Sequence, residues 1–351
     1  MKRSKNVPGY DFFNAVRSYY VEYMPCQRCL SDNTIQASKD AMNLLLDYMN
    51  GSIKIPTEKI TFQLFDTATI MGFLEWLGTE RGCSNSTINH RLSCIRSFFK
   101  YASWKDITLI YIWNEMKLIP KRKTPVSKNI EFMSEKALKI LLEQPDTAKR
   151  NEFRDCFFMT LIYDSAARNS ELLNLKVKDV VAGTSCPMII VTGKGRKKRN
   201  IPILSKTVEM FRAYMGVYHA HNSSPEDYLF YVMRHEQKYQ MSVDNVAKFM
   251  NKYGALARVK CNEVPEHIHP HMFRRTRAMH LYRSGMPLPL LSEFLGHENL
   301  ETTLIYAWAD TEMKRRAIEK ATIANTENLK IVEKPIWKGN GDMIRRLSGL
   351  L

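Results

Sequence analysis

Six side chains in this sequence carry groups that suit phosphate chemistry, and they sit in separate short words. Arg168 lies in Ser165-Ala166-Ala167-Arg168-Asn169-Ser170-Glu171, and Lys194 in Gly193-Lys194-Gly195. His271 and Arg274 lie in His269-Pro270-His271-Met272-Phe273-Arg274-Arg275, His297 follows Leu295-Gly296, and Tyr306 comes nine residues after His297. Arginine presents paired N–H donors that match the oxygens of a phosphodiester. On a helix, His271 and Arg274 stand three apart and share a face, which sets an imidazole beside a guanidinium. That pairing suits a phosphate oxyanion. A glycine-flanked lysine on a hairpin can reach a phosphate backbone or donate a proton. A tyrosine hydroxyl can act as a nucleophile. Singly, each has a plainer reading: an arginine at a helix start, a basic surface hairpin, a half-buried core tyrosine.

Several elements must position these groups. The first third of the chain reads as helices. One runs from Thr34 to Tyr48 behind a Ser31-Asp32-Asn33 start signal, with Ile35, Ala41, Leu44, Leu45 and Tyr48 near helical spacing. A second starts near Asp66 with Ile70, Phe73, Leu74 and Leu77 on one face. A third is capped at Ser86 and carries Ile88, Leu92, Ile95, Phe98, Phe99 and Tyr101. Their apolar faces predict one small helical bundle. A basic stretch with two prolines, Ile119 to Lys128, has no apolar period and marks the domain boundary. Beyond it, Ser134 is an N-cap for a helix with Ala137, Leu138 and Leu141, and Phe153 to Tyr163 reads as a buried helix. Met188-Ile189-Ile190-Val191 and Ile201-Pro202-Ile203 are short strands around a very basic hairpin tip. From Val208 onward the chain reads as mostly helical. Gly296 should end a helix just before His297.

Composition limits the function classes. The chain has 351 residues, 44% of them hydrophobic and 25% charged, which fits a folded protein of about two domains. Its formal net charge is +16, and a chain this basic usually meets a polyanion, most often nucleic acid. No run of about 18 apolar residues predicts a membrane span. Met1 to Asn6 is basic, but Pro8-Gly9 follows where a signal peptide needs an apolar stretch, so a cytoplasmic, nucleoid-associated location is expected. The seven cysteines read as reduced thiols. Cys26-Gln27-Arg28-Cys29 lacks the second pair a zinc site needs, and His267, His269 and His271 lack further ligands, so no metal is expected.

Taken in order, Arg168, Lys194, His271-x-x-Arg274, Leu295-Gly296-His297 and Tyr306 resemble the active-site words of the tyrosine recombinase (phage integrase) family. Ser31-Asp32-Asn33-Thr34-Ile35 and Ser86-Thr87-Ile88-Asn89-His90-Arg91-Leu92 are similar to the helix starts of its core-binding domain. The resemblance spans roughly residues 30 to 320. It implies a mainly α fold with a small antiparallel β-sheet in the C-terminal domain. It further implies a helical core-binding (SAM-like) domain over 1–120 and a basic linker over 121–131. A catalytic domain would follow over 132–325, with an extension over 326–351, and the two domains would clamp DNA. Arg168, Lys194, His271, Arg274, His297 and Tyr306 are then the catalytic set, with Glu171 supporting. Lys121, Arg122 and Lys123 of the linker and Arg196, Lys197, Lys198 and Arg199 of the hairpin are expected to contact DNA. The partners implied are double-stranded DNA with inverted-repeat core sites and a homotetramer on synapsed DNA. An accessory DNA-bending protein or a second recombinase would be a further partner; no cofactor and no membrane are implied.

The chain departs from the usual pattern in two places. Arg275 stands where many members carry a second histidine, outside the six. Ala166-Ala167 replaces a frequent Gly-Leu, which reads as a packing change. Two other functions stay open: a type IB topoisomerase, with the same tyrosine and arginine chemistry but no partner exchange, and a non-catalytic DNA-binding regulator. The helical N-terminal region argues against the first, and the intact six positions against the second.

Overall fold

In a computed structural model, residues 10–124, 130–193, 197–220, 223–297, 299–309, 315, 318–319 and 339–350 are described. The chain divides into two compact units, Met1–Val126 and Ser127–Leu351.

The first unit is helical. Helix α1 (Tyr10–Ser18) leads into a π-helical stretch, Tyr19–Gln27, that contains Pro25. Proline lacks an N–H and crowds the preceding turn, which accounts for a departure from regular α-helix here. Then come α2 (Asp32–Gly51), α3 (Thr67–Thr79), α4 (Asn85–Lys105) and α5 (Ile110–Leu118). Side-chain caps fix their starts: Ser31 accepts from the N–H of Thr34, Asp66 from Thr69 and Ser84 from Thr87. The α4 cap is therefore Ser84, and Ser86 lies in the first turn. The expected apolar faces do form the core. Phe12 joins them, meeting Phe62, Phe65 and Phe98 at centroid distances of 5.2, 5.0 and 5.7 Å. The start of the basic stretch is tied down. Asn89 exchanges two hydrogen bonds with the Arg122 backbone, and Asn85 donates to the Lys123 carbonyl.

The second unit has α6 (Glu135–Leu142), α7 (Arg150–Ser165) and α8 (Asn169–Leu173), followed by β1 (Val180–Val181), β2 (Met188–Thr192) and β3 (Lys198–Pro202). The three strands form one antiparallel sheet in chain order. Helix α9 (Ser205–Tyr218) follows, then the hairpin β4 (Tyr231–Arg234) and β5 (Gln237–Gln240). Helices α10 (Val243–Lys260), α11 (Pro270–Arg283), α12 (Leu288–Leu295) and α13 (Glu301–Ala309) complete it, with a short α14 (Gly341–Leu347) near the end of the chain. Helix α7 supplies the centre of the core through Phe157, Phe158, Leu161 and Ile162, which pack with Tyr214 and Phe273. A smaller apolar cluster joins Ala166, Ala278, Met279, Leu291, Leu295 and Tyr306.

The region after Val208 is mostly helical, as expected, with one hairpin inside it: β4 and β5 pair with Arg234 opposite Gln237, so His235 and Glu236 form a two-residue turn. Both have positive φ (46° and 62°), as a type I′ turn requires. The basic run is shorter as a loop than expected, because β3 starts at Lys198 and absorbs part of it. On this strand Arg199 and Ile201 point to one face, and Lys198, Asn200 and Pro202 to the exposed one.

Candidate active site

Arg168 caps α8. Its backbone N–H donates to Glu171 Oε2 at 2.8 Å and its Nη1 to Glu171 Oε1 at 2.9 Å. The turn before it is unusual. Ala166 has φ +48°, a left-handed conformation that glycine adopts far more readily. The replacement of glycine here is thus a backbone matter, beyond the packing change read from sequence. That conformation aims the Ala166 carbonyl at Arg274, whose Nη1 donates to it at 2.7 Å.

Arg274 lies on α11 and is only 2% exposed. Its Nη2 donates to the Leu295 carbonyl at 2.6 Å. Arg168 Nη2 donates to the next carbonyl, Gly296, at 3.3 Å. Helix ends leave carbonyls without intrahelical partners. Here the two arginines satisfy those at the end of α12, and so fix both guanidiniums against the turn that carries His297. Gly296 makes this turn with φ +64°, as its place before His297 predicts. His297 is held from its far side, with Nδ1 2.8 Å from Oγ1 of the fully buried Thr303. His271 occupies the first turn of α11, behind the His269 cap and Pro270. Tyr306, on α13, is 2% exposed and sits in the small apolar cluster. Arg168, Gly193, Lys197, Lys198, Arg199 and His297 line a cavity of about 580 Å³.

Of the expected catalytic set, these contacts link Arg168, Arg274 and His297, with Glu171 beneath. His271 shares α11 with Arg274, and Tyr306 belongs to the same apolar cluster as Ala166 and Leu295. Lys194 and Arg196 lie outside the described residues. Among the cations expected to meet DNA, Lys121, Lys123, Lys197 and Lys198 are exposed. Arg122 turns inward and donates to the Leu74 carbonyl at 2.8 Å. Arg199 also turns inward, onto Glu171.

Comparison with known proteins matches both parts of the chain to one family. Residues 131–313 match the phage integrase family, and residues 18–106 match the phage integrase N-terminal SAM-like domain. Over 251 residues the chain is 32% identical to a tyrosine recombinase XerA of Thermococcus onnurineus, covering 72% of this chain and 80% of that one. It is 30% identical over 306 residues to a tyrosine recombinase XerC of Bacillus subtilis, covering 84% and 92%. The chain belongs to the phage integrase family of tyrosine recombinases. It is a DNA-binding, site-specific recombinase. Its fold resembles a XerH recombinase bound to a palindromic difH substrate (TM-score 0.66, 20% identity, 93% and 92% covered). It also resembles a lambda integrase tetramer bound to a Holliday junction (TM-score 0.58, 15% identity, 85% and 77% covered). Among the recombinase's described residues, no helix is long and apolar enough to cross a membrane.

The electrostatics of this recombinase's site follow from burial and crowded guanidiniums. Burial alone would raise the Glu171 carboxyl, but hydrogen bonds from Arg199 and Arg168 outweigh it and hold the group below the usual carboxylate range. Arg274 is pushed down to about 10 by burial and by Arg168 and Arg199, and stays protonated at neutral pH. Burial, helped by Arg274, Arg168 and Arg199, pushes His297 down to about 4. His271 is exposed on the first turn of α11, yet desolvation, with Arg275 and Arg274 beside it, holds it well below the ordinary imidazole range. Both imidazoles are therefore neutral at pH 7. Burial raises the Tyr306 hydroxyl, and Arg274 and Arg275 only partly oppose it. Sequence reasoning missed Thr303 as a partner of His297 and Arg199 as a partner of Glu171. The alternation Arg199-x-Ile201 was the signal for the second. Thr303 lies six residues after His297 with nothing nearby in sequence to mark it.

Proposed function

We propose that this recombinase cleaves and rejoins DNA through a 3′-phosphotyrosine at Tyr306. Arg168 and Arg274 bind the nonbridging oxygens of the scissile phosphate and stabilise the charge that builds on them. Neutral His271 takes the proton from the Tyr306 hydroxyl as its oxygen attacks phosphorus. With Thr303 donating to Nδ1, His297 keeps its proton on Nε2 and donates it to the phosphate. The bond from phosphorus to the 5′-oxygen breaks, and Lys194 protonates that oxygen to leave a 5′-hydroxyl. Glu171 orients Arg168. The phosphotyrosine conserves the bond energy, so rejoining needs no ATP, and the guanidiniums supply the charge stabilisation that a metal supplies elsewhere.

The observation that carries this reading is the convergence of Arg168, Arg274 and His297 on the carbonyl-rich end of α12. Two tight guanidiniums share one patch with a neutral imidazole, which is an arrangement for an anion. The compact units Met1–Val126 and Ser127–Leu351 meet within the basic linker over 121–131, which supports a domain boundary there; the clamping of the duplex by the two domains is part of the proposal. A dimer on each inverted-repeat site, a tetramer on two sites and passage through a Holliday junction are part of the same proposal, as are a mobile element or replicon as the setting and a cytoplasmic location. The solved lambda integrase tetramer on a Holliday junction supports the assembly. In this assembly a helical stripe of Met313, Ala317, Ile318 and Ala321 would dock in a neighbouring protomer; Met313, Ala317 and Ala321 lie outside the described residues.

The test is a nicked suicide duplex incubated in excess EDTA without ATP. A covalent protein–DNA adduct with a free 5′-hydroxyl is expected. A strict divalent-metal requirement for cleavage would contradict the mechanism. Lys194→Ala should cleave poorly on ordinary DNA and recover on a 5′-phosphorothiolate, because a thiolate leaves without a proton. No recovery would remove Lys194 as the acid.

A further inference from the structure

We propose that Arg199 is a positioning residue that neutralises and clamps Glu171, so that Arg168 keeps its positive charge for the scissile phosphate, and that it props the Gly296 turn that carries His297. The proposal deepens the reading above and rests on it, since it takes Arg168 and His297 to serve the phosphate.

The geometry is specific. Arg199 Nη1 donates to Glu171 Oε1 and Nη2 to Glu171 Oε2, both at 2.8 Å. Glu171 Oε1 also accepts from Arg168 Nη1 at 2.9 Å, and Oε2 from the Arg168 backbone N–H at 2.8 Å. Each carboxylate oxygen thus accepts two hydrogen bonds, and the Glu171 side chain is only 3% exposed. A buried carboxylate that close would cancel the charge of a single arginine. Two guanidiniums around one carboxylate leave the trio at +1. Arg168 has the more exposed side chain, 41% against 17% for Arg199, so the surplus charge is presented at Arg168.

Arg199 also lies against the next turn. A Cβ added at Gly296 would come 2.9 Å from Arg199 Cδ and 3.0 Å from its Nε. The guanidinium is therefore packed under the residue whose carbonyl Arg168 grips and whose successor is His297. Arg199 Nε is buried and, among the described residues, makes no hydrogen bond, so the side chain is given over to this place rather than to solvent. Strand β3 supplies the rigidity: Arg199 pairs with Val191, and its inward neighbour Ile201 is fully buried. Lysine cannot substitute, because a single ammonium cannot bridge both oxygens in one plane.

The test is single-turnover cleavage of the suicide duplex by the full chain, with duplex affinity measured at several salt concentrations. Arg199→Gln should cut cleavage by about 100-fold, the size of losing one aimed donor to developing charge. The salt slope of binding should not change, whereas loss of a direct phosphate contact would lower it by about one. Arg199→Lys should restore little. Glu171→Gln in the Arg199→Gln background should recover about 10-fold over Arg199→Gln alone, a coupling typical of residues in contact. A wild-type rate for Arg199→Gln overturns the proposal, as does a salt slope lowered by about one. A double variant no faster than Arg199→Gln also overturns it. If Arg199→Gln does not fold, the double variant carries the test: it should fold and cleave about 10-fold below wild type, and a folded but inactive double variant contradicts the proposal. Arg168→Ala is the control for the underlying reading. If it cleaves normally, the phosphate-binding assignment fails, independently of Arg199.

Discussion

Among the described residues, the buried polar side chains of the first unit are Ser38 and Ser103, both hydroxyls, whereas the second unit buries Asp155, Asp164, Glu171, His219, Arg274 and His280. The first unit is held by rings and aliphatic side chains at van der Waals contact, the ordinary way for a small helical unit to gain stability. Burying charge costs stability unless it is matched. Most of the second unit's charges are matched and have a structural task. Asp164 accepts from Arg277 and Thr207 and from the Leu204 N–H, tying α7 to α11 and α9. Asp155 takes Arg154 and Tyr253. Arg274 differs, because its partners are the carbonyls of Ala166 and Leu295, which orient the guanidinium without neutralising it. Buried charge alone does not mark an active site; Arg274, a buried charge held by neutral partners, is the one that the proposed mechanism uses.

The largest effect is expected from Arg274→Gln. Cleavage of saturating duplex should fall by about 1,000-fold, the upper range for removing an aimed oxyanion donor, while binding persists on the exposed lysines. A single-turnover assay beside a gel shift checks it; parallel loss of both would make Arg274 a general DNA contact. The counterpart in the first unit is Phe98→Ala. Phe98 is fully buried, so a loss of about 3–5 kcal/mol is expected from transfer and cavity terms. Chemical denaturation measures it. The cleavage rate of the folded, DNA-saturated variant should stay near wild type, and a large drop there would show that the two units are not separable in this way.

A third prediction uses protons. His297 is held down to about 4 in the folded chain, below the ordinary value of about 6.5 that it regains on unfolding. Between those values the unfolded state binds more protons. Stability is complete above the window and is lost as pH falls through it. The melting temperature of the DNA-free protein should therefore drop on acidification, and His297→Gln should flatten the drop. An unchanged slope would place the ring in water. The smallest effect belongs to Ala166→Gly. Glycine relieves the left-handed strain but loses backbone entropy on folding, so a net gain of at most about 1 kcal/mol is expected. Thermal melting reads it; a clear loss would mean that the methyl group packs better than its backbone suggests.

Much of this was legible in the sequence because local chemistry and global fold agree. Ser134 caps α6, Gly296 ends α12, and the stripes of Ile70, Phe73 and Leu77 and of Ile88, Leu92 and Ile95 are the faces the first unit buries. The hairpin at His235-Glu236 was not legible, because its turn needs two positive φ values and neither residue is glycine, asparagine or aspartate. Arg199 was hidden inside a basic run whose other described members, Lys197 and Lys198, do face solvent. Arg122 was read as a linker cation, since nothing in its neighbourhood announces the Leu74 carbonyl it meets. Thr303 and Ala166 act through a tertiary hydrogen bond and a backbone angle, and neither leaves a periodic mark.

In the proposed mechanism one tyrosine of this chain becomes covalently joined to DNA. The chain has 16 tyrosines, and Tyr306 is the one proposed to react. Peptide mapping by mass spectrometry of the adduct trapped on a suicide duplex tests this assignment directly. A phosphonucleotide is expected on Tyr306 and nowhere else, with no adduct from Tyr306→Phe despite near-normal duplex binding. A modified peptide carrying the nucleotide on any other residue, or an adduct that survives Tyr306→Phe, would contradict it.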